Sequence, residues 1–99
     1  MIFENIVYLE LLRRGYKVTV GRTGDKEIDF VCDKQGDKLY VQVAYLLASD
    51  ETVNREFGAY NNIRDNFPKY LFTTDTLLQK RDGILHMNMI DFIKDNKML

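Results

Sequence analysis

Residues 27–45 read EIDFVCDKQGDKLYVQVAY. Two alternating runs rich in Val, Ile, Phe and Tyr flank a polar DKQGDK, in which Gly36 is free to take positive φ. Such a stretch folds as a hairpin, and its turn sets the register. With Gln35 and Gly36 as a two-residue loop, Lys34 pairs with Asp37, and counting outward sets Asp29 opposite Gln42. Side chains alternate along strands, so Glu27, Asp29 and Val31 share one face and Ile28, Phe30 and Cys32 the other. On the return strand Tyr40, Gln42 and Ala44 face away from Leu39, Val41, Val43 and Tyr45. Asp29 lies among strand-core residues, where a carboxylate is costly to bury unless paired or metal-bound. It is the first candidate for a site, with Gln42 beside it.

The flanking segments supply the rest of a fold. IFENIVYLELLRRG reads as a helix with two apolar series, Ile2, Ile6, Leu9 and Phe3, Val7, Leu11. Gly15 stops it, and Arg13 and Arg14 occupy its last turn as a solvated, cationic carbonyl end. YKVTVGR alternates as a strand, with Tyr16, Val18 and Val20 on one side, and Gly21 and Gly24 bracket a turn. After the hairpin, Ser49 or Asp50 caps a helix running toward Pro68, with Val53, Phe57, Tyr60 and Ile63 at helical spacing. KYLFTTD is a fourth strand, TLLQKRDG a connection, ILHMN a fifth strand and MIDFIKDNKML a closing helix. The order α-β-β-β-α-β-β-α predicts a mixed α/β fold, a five-stranded sheet flanked by helices. The third and fourth strands, joined through a helix, should be parallel with a right-handed crossover.

Ninety-nine residues make one domain, 1–99, with a modest core. A net charge of −1 argues against a strong non-specific grip on phosphate backbones. Cys32 is the lone cysteine, which excludes an internal disulfide and fits a reducing cytoplasm. His86 and Cys32 are too few for a zinc site. No apolar run is long enough to span a bilayer, and no Gly-rich loop cradles a nucleotide, so ATP is expected only outside this segment. Tyr40, Tyr45 and Tyr60 read as core edges, His86 as packing on a short strand, and the four Met as gap fillers.

Glu4 in an opening helix, Asp29 in EIDFV and QVA at 42–44 on the next strand resemble the PD-(D/E)xK nuclease-like superfamily. The segments ENIVYLELLRRGYKVTVGR, EIDFV, YVQVAY, ETVNREF and DNFPKYLFTTD are more closely similar to the uncharacterised C-terminal domain of prokaryotic AAA-type ATPases, a degenerate branch of that superfamily. The resemblance spans essentially the whole chain. It implies a restriction-endonuclease-like core, an ATPase domain upstream in the same polypeptide, and Glu4, Asp29 and Gln42 as the remnants of a catalytic set. Asp29 and Gln42 would be the metal ligands, for Mg²⁺.

The chain departs from an active pattern at two places. Ala44 stands where the superfamily has Lys, and Gln42 where a second carboxylate is usual. Gln contributes a carbonyl ligand but no charge, and Ala can neither stabilise charge nor position water. The expected role is therefore a non-catalytic accessory domain of an ATPase, acting by contact with its upstream domain or with a second copy. The alternatives are a metal-dependent DNA nuclease whose cation has migrated to Arg55 or Arg22, with Glu27 as helper, and a nucleic-acid-binding module that does not cleave. Bland roles stand beside these: Glu4 as a first-turn acid, Asp29 in a structural ion pair, Gln42 a satisfied amide, Arg55 with Glu56 a structural pair. The opening helix carries more apolar surface than one sheet face needs, which marks it as an interface unless the closing helix covers its flank.

Overall fold

The computed structural model describes residues 2–95 and 99. Nine elements follow in chain order: α1 (Ile2–Arg13), β1 (Lys17–Thr23), β2 (Lys26–Lys34), β3 (Asp37–Val43), α2 (Asp50–Gly58), β4 (Lys69–Thr73), β5 (Lys80–Arg81), β6 (Ile84–Asn88) and α3 (Met89–Lys94). The strands form one mixed sheet in the order β1-β2-β3-β4-β6-β5. β1, β2 and β3 are an antiparallel meander, while β3, β4 and β6 run parallel. The expected α/β class and the parallel β3/β4 pair are both present.

The sheet has six strands rather than five. β5 is two residues long and pairs with the start of β6 across Asp82–Gly83, a two-residue loop with both residues at positive φ, 54° and 75°. The Gln35–Gly36 loop is built the same way, with φ of 52° and 89°, and the pair Lys34/Asp37 sits in the expected register.

α1 ends as its sequence demands. The Gly15 amide donates to Leu12 O and the Tyr16 amide to Leu11 O, with Gly15 at φ 94°. This is the double bond pattern that a left-handed glycine permits at a helix end, and Tyr16 and Leu11 share the core beneath it. Lys34 adds its ammonium to Arg14 O at 2.8 Å. Arg14 itself is not solvated. Its side chain, 6% exposed, stacks 4.2 Å over the Phe92 ring. It also donates to Phe92 O at 2.6 Å and Asp95 O at 2.8 Å, and to Glu10. One guanidinium thus ties the end of α1 to the carbonyl end of α3.

α2 is shorter than expected. Ser49 caps it, accepting from Thr52 N. Past Gly58 the chain tightens into i→i+3 turns, with amides of Tyr60, Asn61 and Ile63 bonded to Phe57 O, Gly58 O and Tyr60 O. Phe57, Tyr60 and Ile63 are three apart, so they stay on one side through the change of winding. The closing helix stops at Lys94; the expectation that it continues through 96–98 lies outside the described residues.

Two apolar clusters sit on opposite faces of the sheet. Val7, Leu11, Cys32, Leu39, Val41, Val43, Phe72, Met89 and Phe92 join α1 and α3 to one face. Ile28, Ala44, Val53, Phe57, Tyr60, Leu71 and Ile84 join α2 to the other. Ile28 is on α2's side, not with Phe30 and Cys32 as strict alternation predicts. The cause is a bulge in β2: Thr19 pairs with Val31 and Gly21 with Ile28, leaving Asp29 and Phe30 opposite Val20 alone. The extra residue reverses the phase. Gly21 is therefore a strand residue, not part of a turn. A Cβ there would lie 2.5 Å from Val31 Cγ2 and 3.2 Å from Ile28 Cβ, so the bulge needs glycine opposite it.

Candidate functional site

The bulge places Asp29 where β2 and β3 part. The ladder's last backbone pair is Phe30/Val41, so Asp29 and Gln42 do not meet as a ladder pair. Their side chains continue the ladder instead. Gln42 Oε1 accepts the Asp29 amide at 2.9 Å, and Asp29 Oδ2 accepts the Val43 amide at 2.8 Å. Each side chain satisfies a backbone donor that the bulge leaves without its strand partner.

Asp29 and Gln42 line one cavity of about 460 Å³. Its other wall is α2, which contributes Asn54, Arg55 and Glu56, and not α1 as expected for a Glu4-bearing roof. Glu4 lines the adjoining cavity, with Ala44, Tyr45, Thr52, Arg55 and Glu56. Arg55 and Glu56 are thus common to both. Arg55 is mostly exposed and pairs with Glu56 at 3.4 Å. Glu56 Oε1 also accepts from Gln42 Nε2 at 3.4 Å. Arg22 does not line this cavity; it pairs at 3.7 Å with Glu27, which does, and both side chains are exposed. Lys26, which also lines the cavity, donates to Gly58 O at 3.0 Å.

Burial pushes the Asp29 carboxyl up to about 6, and the nearby carboxylates of Glu4, Glu56 and Glu27 push it the same way, against the Val43 hydrogen bond. Ala44 is buried with Leu47, Val53 and Phe57 in the α2 cluster. It also lines the cavity that holds Glu4, beside Arg55 and Glu56.

Asp29 and Gln42 each spend an oxygen on a backbone amide, and Gln42 adds no charge. Among the described residues, no three His, Cys, Asp or Glu side chains gather closely enough to hold a metal ion. Glu56 is the acidic neighbour of Gln42 that sequence reasoning treated only as a partner of Arg55. The signal was its place on α2, two residues before the Gly58 break.

A second polar cluster lies under α2. The Thr73 hydroxyl is 2.7 Å from His86 Nε2, and Asp75 Oδ2 is 3.8 Å from the same nitrogen. It is not a hydrolytic triad. His86 Nδ1 accepts the Gln79 amide at 2.9 Å, so the neutral ring carries its proton on Nε2 and offers Thr73 no base. Thr73 is also fully buried.

The chain is similar to an uncharacterized protein of Haemophilus influenzae, with 42% identity over 91 residues. The match takes in 91% of this chain but 22% of that protein, so the chain spans about a fifth of the length of the curated relative it matches. No family model matches the chain, and no solved structure matches it.

Proposed function

We propose that this chain is a non-catalytic interaction domain of a longer prokaryotic AAA-type ATPase, docking through the outer face of α1. The observation that carries this reading is the division of α1 into two apolar stripes. Val7 and Leu11 are fully buried, whereas Ile2 and Leu9 are 72% and 63% exposed, with Ile6 and Leu12 also outside. α3 secures the inner stripe through Phe92 and Arg14 and leaves the outer one open. A contiguous apolar stripe left exposed in this way marks a candidate interaction surface. A longer relative, of which this segment is a small part, supports placement within a larger polypeptide; nucleotide binding would belong to the part outside it. The restriction-endonuclease-like descent of the fold, with Glu4, Asp29 and Gln42 as remnants, belongs to the same proposal. So does a cytoplasmic setting, consistent with a buried Cys32 whose thiol is pushed up to about 12. Among the described residues no helix is long and apolar enough to cross a membrane.

Light scattering tests the docking face. Leu9→Asp leaves the core intact, unlike a charge at the buried Val7. Wild type should self-associate, or bind a fragment comprising the rest of the longer protein, and Leu9→Asp should do neither. A monomer that binds nothing in both forms refutes the reading.

A second reading has one observation in its favour: Arg55 lines the cavity that holds Asp29 and Gln42, as a migrated cation of a divalent-dependent nuclease would. Plasmid and single-stranded DNA incubated with Mg²⁺ or Mn²⁺ should stay uncut. Cutting that Asp29→Ala and Arg55→Ala both abolish would establish the nuclease instead.

A further inference from the structure

The segment joining β4 to β5 displays two leucines, Leu77 at 86% and Leu78 at 53% exposure. Polar bonds hold it at both ends. At the near end, the Thr74 amide and hydroxyl both donate to Tyr45 O, at 2.8 and 2.6 Å. Asp75 Oδ2 accepts the Leu47 amide, the Asp75 amide donates to Thr73 Oγ1, and Asp75 O accepts from Asn88 Nδ2. At the far end the Gln79 amide donates to His86 Nδ1.

We infer that His86 is a protonation-sensitive clasp, which holds the 74–79 segment in its displayed form while neutral and releases its Gln79 end when charged. The ring's two bonds assign opposite roles to its nitrogens. Nδ1 must be bare to accept the Gln79 amide, and Nε2 must carry the proton it directs at Thr73 Oγ1. Imidazolium donates from both nitrogens, so a proton added at Nδ1 meets a backbone N–H head-on and that bond is lost. The groups facing the ring come from every neighbouring element. The connection gives Asp75, β4 gives Thr73, and α2 gives Phe57, edge-on at 6.0 Å. Arg81 of β5 lies over the Phe57 ring, 5.4 Å from its centroid, rather than over His86. Burial lowers the ring's pKa below the usual 6.5, and Asp75 opposes that shift in part. The clasp is therefore closed at neutral pH and opens as pH falls through the lowered value. Release would free Leu77 and Leu78 to move while the Asp75 anchor stays. The inference is independent of the docking role proposed for α1.

Nitrogen NMR of the ring and amide exchange at Gln79 test it together. The neutral ring should be the Nε2–H tautomer, and Gln79 protection should fall roughly tenfold or more as His86 titrates, with far-UV circular dichroism unchanged. His86→Asn places a non-titrating oxygen near the Nδ1 position, and its Gln79 protection should lose that pH dependence. Three results each overturn the clasp: an Nδ1–H tautomer, Gln79 protection that ignores the His86 titration, or global unfolding before His86 takes a proton. All three are read on wild-type protein.

Discussion

Asp29 shows how one residue can be legible in kind and illegible in detail. That a carboxylate among Ile28, Phe30 and Val31 needs a partner follows from burial cost alone. That the partner is the Val43 amide depends on the bulge, which the strand's own letters do not announce. The consequence for stability has a definite sign. The carboxyl's folded pKa, about 6, lies above the ordinary aspartate value of 3.8. Below the lower value it is neutral in both states and costs nothing. Between the two the unfolded chain has released its proton and the folded chain still holds it, so stability falls as pH rises through this window and stays reduced above it. Asp29→Asn keeps an oxygen for the Val43 amide and never ionises. Urea denaturation should find the variant more stable at neutral pH by about 1 kcal/mol, discounted for the site's partial exposure. It should also lack the wild-type slope across the window. A variant no more stable than wild type at neutral pH would show that ionised Asp29 is paid back by a contact not described above.

At the scale of elements, the hairpin around Gln35–Gly36 was readable because strand formers flank its turn on both sides. Asp82–Gly83 is at least as strong a turn signal, yet it hid a hairpin, because Lys80 and Arg81 are poor strand formers and pair only through tertiary contact with β6. The end of α2 was obscure for a different reason: a spacing of three fits both a helix and the i→i+3 turns that follow Gly58. Gly21 was the readable trace of the bulge, since a glycine inside a strand marks one or a close approach. The two stripes of α1 were visible, but which one the core takes depends on α3 and Arg14. That joint is testable. Arg14→Met keeps the stem over Phe92 and removes the fork that satisfies Phe92 O, Asp95 O and Glu10. It should cost about 2–3 kcal/mol in chemical denaturation and raise amide exchange in α3 before the sheet. A loss below measurement error would reduce Arg14 to the solvated helix end its sequence suggests.

For the whole molecule, the question is whether two cores behave as one. α1 and α3 cover one face of the sheet and α2 the other, and among the described residues no helix crosses between. The coupling runs through the strands. β4 turns Phe72 toward α1 and α3, and Leu71 toward α2, and both are fully buried. β3 likewise divides Val41 and Val43 from Ala44 just beyond its end. Neither cluster can lose its packing without exposing the sheet that the other stands on, and a domain of this size has only about 5–15 kcal/mol in total to spare. Leu11→Ala on one face and Leu71→Ala on the other should therefore each remove about 2–5 kcal/mol and lower one shared transition. Calorimetry and far-UV circular dichroism should give the same midpoint for each variant. The result has a bearing on function, because a domain acting by contact must present α1 as a fixed surface, and Leu71→Ala would then loosen α1 from the far side of the sheet. If Leu71→Ala instead splits the melt in two, with α2 lost first and the α1 face persisting, the faces are independent. α1 would then owe its rigidity only to Val7, Leu11 and the Arg14 joint.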